Sequence, residues 1–283
     1  MRPRCVHRPR LGVTVLSISL LLATYKSKTG PLKHRDTWMS KANIPDRIEW
    51  IVAMDNSDLS AIGETEGMIR AINRPRDSFS TAVQNWNSAA RLSNGNLLFV
   101  ISDDLFPFPG WDSKIQEIVG TRDPEADDFA IKVQDSPNPC DTALRHPVVS
   151  RKFYDRLGLF DGSFRGVLCD SDFTLKALLY SQILDGREAV FCHAHPHFDP
   201  SLASTDSHLK INRQVEYSFG RRAFNRKYSP FHQGLNLNRL NLPTAGKSAR
   251  LLLGVRRFGI WLKGRLLTVR GERELVADAQ SFA

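Results

Sequence analysis

The stretch that decides the fold is "NGNLLFVISDDLFPFPGW", Asn94 to Trp111. Its middle, Asn96 to Ser102, is almost uniformly apolar, as expected of a central strand covered by helices on both faces. Just upstream, Phe79, Val83, Trp86 and Ala90 recur at helical spacing, and Asn94-Gly95 reads as a helix stop. Farther upstream a helix is expected around Leu32 to Lys41, followed by a second apolar run, "IEWIVAMD", that closes at Asp55. A third run, Thr14 to Ala23, completes an alternation of strands and helices. That order predicts an α/β domain built on a mostly parallel central sheet flanked by helices.

The first run has a competing reading. Arg2, Arg4, Arg8 and Arg10 precede a nearly uncharged stretch from Leu11 to Ala23, which looks superficially like an export signal. Ala23, however, is followed by "TYKSK", a poor cleavage site, and a central strand cannot be removed without losing the sheet. Residues 1–13 then read as a disordered basic leader. The chain has 283 residues and 41% hydrophobic composition, enough for one large domain with an extension. Its net charge of +9 points to an anionic partner: a nucleotide, a nucleic acid or an acidic membrane surface. The four cysteines, Cys5, Cys140, Cys169 and Cys192, form no CxxC pair, so neither a disulfide scaffold nor a zinc ribbon is indicated and a cytoplasmic, reducing setting is expected. No apolar run reaches the roughly 18 residues a membrane helix needs.

Asp103 and Asp104 leave the apolar strand at its C-terminal end, where open α/β sheets place their ligands. Two adjacent carboxylates repel, and Mg²⁺ or Mn²⁺ held together with a diphosphate would offset that cost. The plainer reading is a turn, since "DDLFPFPG" is rich in turn formers. Similarly, "CHAHPHFDP" sets His193, His195 and His197 at alternate positions, which on a strand face the same way and would suit a metal. "Asp-Ser-Asp", residues 170–172, stands before "FTLKALLYSQIL" and reads either as a helix cap or as a pair of working carboxylates.

The order of Asn87-Ser-Ala-Ala, Asn94-Gly95, apolar strand, Asp103-Asp104 and Pro107 to Trp111 resembles the family 2 glycosyltransferases of the GT-A fold. The resemblance spans roughly residues 14 to 228 and implies a single GT-A domain over 14–235, with a C-terminal extension over 236–283. It implies a nucleotide-sugar-dependent, hexosyltransferase-like enzyme of polysaccharide biosynthesis. Such an enzyme uses Mn²⁺ or Mg²⁺, inverts the sugar, and acts on a glycan or lipid-linked acceptor. Carried over, Ala23, Thr24, Tyr25 and Asp55 would line the nucleoside pocket together with Asn87 and Asp103, and Arg74 and Arg76 would contact the nucleotide. Asp103 and Asp104 would hold the metal, completed by His195 or, as second choice, His197. Asp170 would be the general base, with Asp172 and Lys176 at the positions of the family's second acid and basic residue. Two departures stand out: Met54 precedes a single Asp55 where two acids are usual, and the acidic motif is "SDDL" and not a literal Asp-x-Asp.

Arg213, Arg221 and Arg222 in the later helical segment are further candidates for phosphate contacts. Between Lys247 and Arg270, apolar residues recur at helical spacing among Arg and Lys, interrupted by Gly254, Gly259 and Gly264. Such a helix would either pack back on the domain or lie at the inner membrane face as a peripheral anchor. Two other functions compete. A sugar-phosphate nucleotidyltransferase would want a glycine-rich loop after the first strand, where only Gly30 stands, and a basic nucleic-acid or membrane module leaves the strand-end acids unexplained and shows no recognition motif. No nucleic-acid partner is expected.

Overall fold

A computed structural model describes residues 16–65, 67–74, 81–195, 198–199, 201 and 214–228. Its centre is a seven-stranded sheet in the order β3-β2-β1-β4-β7-β6-β8. The first four strands in chain order are β1 (Ile18–Thr24), β2 (Ile48–Asp55), β3 (Ile69–Asn73) and β4 (Leu97–Ser102). They run parallel, with β1 paired to β2 on one side and to β4 on the other. The opening ambiguity is thereby resolved: Ile18–Thr24 is wholly buried at the heart of the sheet. β6 (Phe129–Gln134) and β8 (Gln182–Val190) are parallel to each other, and the three-residue β7 (Val148–Ser150) runs against both β4 and β6.

Because side chains alternate across a strand, each apolar run feeds two cores. Leu20, Leu22, Val52, Phe99 and Ile101 face one side, under Trp38 of helix α1 (Pro31–Ser40) and Trp111 and Ile115 of α4 (Trp111–Val119). Leu21, Ile51, Leu98 and Val100 face the other. There they meet Val83 and Ala89 of α3 (Ala82–Leu92), Phe153 of α5 (Arg151–Leu157) and Phe173 of α6 (Cys169–Tyr180). A short helix α2 (Leu59–Glu64) follows β2, and α7 (Gln214–Tyr228) comes last among the described residues. None of these helices is long and apolar enough to cross a membrane. The leader, Phe79 and the whole segment 236–283 lie outside the described residues.

Three local expectations are corrected. The helix expected to run through "YSQIL" ends at Tyr180, and Gln182 opens β8 instead. The alternation of histidines does not lie on one strand: β9 is only Cys192–His193, and the His195 N–H turns back to the His193 carbonyl at 2.9 Å. Gly95 does not stop α3, which ends at Leu92 with Ser93 already extended; it serves a close approach instead. A Cβ there would lie 2.6 Å from Ser19 Oγ, 2.8 Å from Ser19 N and 3.0 Å from Ser17 O.

Between β6 and β8 the register slips: Val133 opposes Gly186, yet Gln134 opposes Val190. The extra residues let the chain leave the sheet at Phe191, whose N–H bonds the Gln134 carbonyl at 2.8 Å. β9 then joins β5 (Leu105–Phe106) in a small antiparallel ribbon, pairing His193 with Leu105.

The Gly95 contact yields a stability prediction. Gly95→Ala should push β1 away from the β4 entry and cost about 1–3 kcal/mol, as overpacking does. Thermal and urea unfolding should show a lower midpoint than wild type, whereas Gly162→Ala, where a Cβ meets nothing within 4 Å, should leave it nearly unchanged.

Candidate functional site

The strand order reverses between β1 and β4, since β2 and β3 follow β1 on one side while β4 lies on the other. Ligands of open α/β sheets bind in the crevice that such a reversal opens at the C-terminal strand ends. Here the tips are joined by Thr24, whose hydroxyl donates to Asp103 Oδ2 at 3.0 Å. Above them lies a cavity of about 450 Å³ lined by the end of β1, the turn after β4, the start of α6 and the first turn of α7. The two non-glycine residues with positive φ among those described flank it: Lys26 at 51°, next to Tyr25, and Leu168 at 66°, which caps α6. Backbone strain of this kind is retained where the surroundings enforce it, typically near functional groups.

The paired acids part company as they leave β4. Asp103 is buried against Thr24. Asp104 turns toward two histidines that come from distant parts of the chain. Its Oδ2 lies 3.3 Å from His193 Nε2, brought there by the β5–β9 ribbon, and its Oδ1 accepts a short hydrogen bond from the Ser102 hydroxyl. His146, just before β7, sits with Nε2 2.9 Å from that same hydroxyl. The ligand-type atoms of Asp104, His146 and His193 all lie within 4.8 Å of one another.

The proton inventory of this cluster is short. His193 Nδ1 lies 3.1 Å from the Asp135 carbonyl, which only accepts, so Nδ1 carries a proton and Nε2 is the atom that faces the Asp104 carboxylate. His146 Nδ1 lies 2.9 Å from the Asp135 carboxylate, so its Nε2 likewise faces inward, where one Ser102 proton serves both it and Asp104. Nε2 atoms turned toward a carboxylate in this way call for a cation, either a second proton on the ring or a metal ion. In titration His193 and Asp104 support each other's charged forms. Burial would raise the Asp104 pKa, but the His193 hydrogen bond and charge, with Ser102 and His146, hold it far below the usual carboxylate range. Burial would lower that of His193, but Asp104 raises it above the ordinary imidazole value. His146 has no such net support, and burial lowers its pKa despite Asp135. One carboxylate and two imidazoles thus converge as a group that could hold a metal ion.

Asp170 reaches the same cavity from the first turn of α6. It is not the cap, because the N-cap position is Leu168 and Asp170 Oδ1 accepts only locally, from the Ser171 N–H at 2.8 Å. Arg145 Nε lies 3.9 Å from Asp170 Oδ2, and its guanidinium also pairs with Asp141 and Asp135. Burial raises the Asp170 pKa above the ordinary value even though Arg145 opposes it.

Residues two apart on a helix face different ways, and Asp172 is accordingly buried on the other side, paired with Lys227 of α7 at 2.7 Å. Lys227 also pairs with Asp161 at 2.6 Å. Lys176 turns to the end of α5, donating to the carbonyls of Leu157, Gly158 and Leu159, and burial brings its pKa down to about 8. Among the other expected residues, Ala23, Thr24, Tyr25, Asp103, Asp104 and His195 line the cavity. Asp55 ends β2 with its carboxylate bonded to the Ser57 N–H and hydroxyl, and Asn87 ties α3 to the Phe160 backbone, at 2.9 and 3.0 Å; neither lines it. Arg74, Arg221 and Arg222 are exposed, while Arg76, His197 and Arg213 lie outside the described residues.

Asp135, Arg145 and His146 escaped the sequence reading, for they lie in "QDSPNPCDTALRHP", a stretch without periodicity. One signal was available: a His-Pro directly before the β-branched run "VVS" places a titratable side chain at a strand end.

No family model matches the chain, and no curated protein matches it. Among solved structures it is similar to S. aureus TarS, with 13% identity and a TM-score of 0.49 over 86% of this chain and 53% of that one; the chain spans about half the length of that protein. For S. aureus TarS 1-349 in complex with UDP-GlcNAc, the identity is 13% and the TM-score 0.49, over 86% of this chain and 87% of that one. For the same protein in complex with UDP, the values are 14% and 0.48, over 77% and 74%.

The two acids of α6 should separate in stability measurements. Asp172→Asn removes the charge that faces Lys227 and should lower stability by about 1–2 kcal/mol, moderated because Lys227 is partly exposed and keeps Asp161. Asp170→Asn should leave the unfolding midpoint unchanged or raise it, since a buried carboxylate with a raised pKa loses its charge. Denaturant unfolding of both variants at neutral pH checks the contrast.

Proposed function

We propose that the chain is a glycosyltransferase that moves a sugar from a nucleotide-diphosphate sugar to an acceptor hydroxyl, with inversion at the anomeric carbon. The observation that carries this reading is that one cavity at the strand-order reversal holds both the Asp104, His146, His193 cluster and the separate carboxylate of Asp170. A transfer of this kind needs cationic support for the departing diphosphate and a base for the incoming hydroxyl, and these two groups have the chemistry for each.

In the proposed reaction the nucleoside lies over Thr24 and Tyr25 at the end of β1, with Trp86 on the α3 side of the cavity. A divalent ion held by Asp104, His146 and His193 would supply positive charge to the diphosphate oxygens. Asp170 accepts the acceptor's hydroxyl proton as that oxygen bonds to the anomeric carbon; the bond from that carbon to the diphosphate oxygen breaks with its electron pair, and the nucleoside diphosphate leaves. Arg145, anchored by Asp135 and Asp141, holds its guanidinium beside Asp170 and keeps part of the carboxylate ionised for that task. The acceptor is a glycan or lipid-linked hydroxyl compound, and the family resemblance of the sequence is the support for that choice.

The test is a transfer assay on a panel of nucleotide sugars, with donor affinity measured separately. Asp170→Asn should bind donor as wild type does while turnover falls by about 10²-fold or more. A base works ionised, so wild-type activity should fall as pH drops through the Asp170 pKa. Because that pKa is raised, the acid limb should lie above the ordinary carboxyl value of 3.8. Normal turnover in Asp170→Asn would overturn the assignment.

A further inference from the structure

We propose that Asp135, held by the buried Lys132, is the positioning residue that turns both imidazoles of the centre toward the ion, and that the centre so built takes an imidazole-accepting divalent transition ion in preference to Mg²⁺. The proposal rests on the reading of Asp104, His146 and His193 as metal ligands. A single residue engages both rings through two different groups. The Asp135 carboxylate accepts from His146 Nδ1 at 2.9 Å, and the Asp135 backbone oxygen accepts from His193 Nδ1 at 3.1 Å. The two rings stand nearly perpendicular, 86° apart with centroids 4.8 Å from each other, so one acceptor residue turns two Nε2 atoms toward Asp104. Outer partners of this kind set the tautomer and orientation of a ligating histidine.

Asp135 is wholly buried, and its charge must be met inside the protein. Lys132 Nζ does so at 2.6 Å from Oδ1, with Arg145 at 3.4 Å. Lys132 is itself 1% exposed and lies on β6, three residues before its partner. A lysine buried on a sheet strand is costly, and Lys132 does not line the cavity. Its function here is to keep Asp135 ionised and stationary. Neutral imidazole nitrogens suit Zn²⁺, Fe²⁺ and Ni²⁺, for which Co²⁺ is a spectroscopic stand-in, whereas Mg²⁺ demands oxygen ligands and keeps its waters.

The experiment titrates the metal-free full chain with Co²⁺ alone, followed by visible absorption and calorimetry, and repeats the titration with excess Mg²⁺. Wild type should bind one equivalent, retain it against Mg²⁺, and lose it on His146→Ala. Asp135→Asn by itself strands the Lys132 charge, so the informative variant is Lys132→Met/Asp135→Asn, which removes both buried charges together. Its Co²⁺ affinity should fall by about 10- to 100-fold with an altered absorption spectrum. Long-range proton–nitrogen spectra of the Zn²⁺-loaded wild type give a reading that needs no variant: both rings should carry the proton on Nδ1. Unchanged affinity and spectrum in the double variant would overturn the positioning role while leaving the ligands in place, and a proton on Nε2 of either ring would overturn both the positioning of that ring and its Nε2 as a ligand. Displacement of Co²⁺ by comparable Mg²⁺ would overturn the ion preference, and no Co²⁺ binding by wild type would overturn the ligand reading itself.

Discussion

The direction of one three-residue strand governs where the chemistry gathers. β7 runs against β4 and β6, so the segment between β6 and β7, residues 135–147, must turn back at the edge where its parallel neighbours end. A parallel strand in that place would need a crossover and would carry its approach to the opposite edge. Because the return stays on the near side, His146 arrives beside Asp104, with Asp135 behind it and Arg145 and Asp141 paired next to Asp135. Their side chains then satisfy one another, and the edge can be both buried and charged.

That economy explains the pattern of burial around the cavity. Asp135 spends its carboxylate on Lys132, His146 and Arg145 and its carbonyl on His193, leaving the inward nitrogens of both rings to Ser102 and Asp104. Interior charge is tolerated only when paired and hydrogen-bonded. The network meets that condition with several partners on its outer side, and on its inner side with the Ser102 hydroxyl and the Asp104 carboxylate. That inner side is the one that opens to the cavity.

The parts of the fold legible in the sequence were those where burial on both faces leaves a continuous apolar run: β1, β2 and β4, with α1 and α3 between them. β6, "FAIKVQ", was hidden by Lys132 and Gln134, polar residues with specific partners inside; β8 was hidden by its polar alternation, and β7 by its length. At the site, Asp103, Asp104 and Asp170 could be found because each adjoins a regular element that fixes its position. The difference between Asp170 and Asp172 could not, since it depends on which helix packs behind α6. His146 and Asp135 depend on a return loop whose path no local periodicity records.

The slip between β6 and β8 works as slack in the chain. Upstream, β8 is locked to β6 as far as Gly186; downstream, β9 is locked to β5 by its own pairing of Cys192 and His193. Arg187, Glu188 and Ala189 are the unpaired residues between Gly186 and Val190, where the pairing with β6 resumes at Gln134 before the chain passes to β9. In an unbroken strand, adding or losing one residue would exchange inward and outward side chains all the way to its end. Here such a change is absorbed before the ribbon begins, and His193 keeps its place opposite Leu105. The seven-stranded sheet and the ribbon can therefore drift independently in length, with the histidine tethered to the second of them.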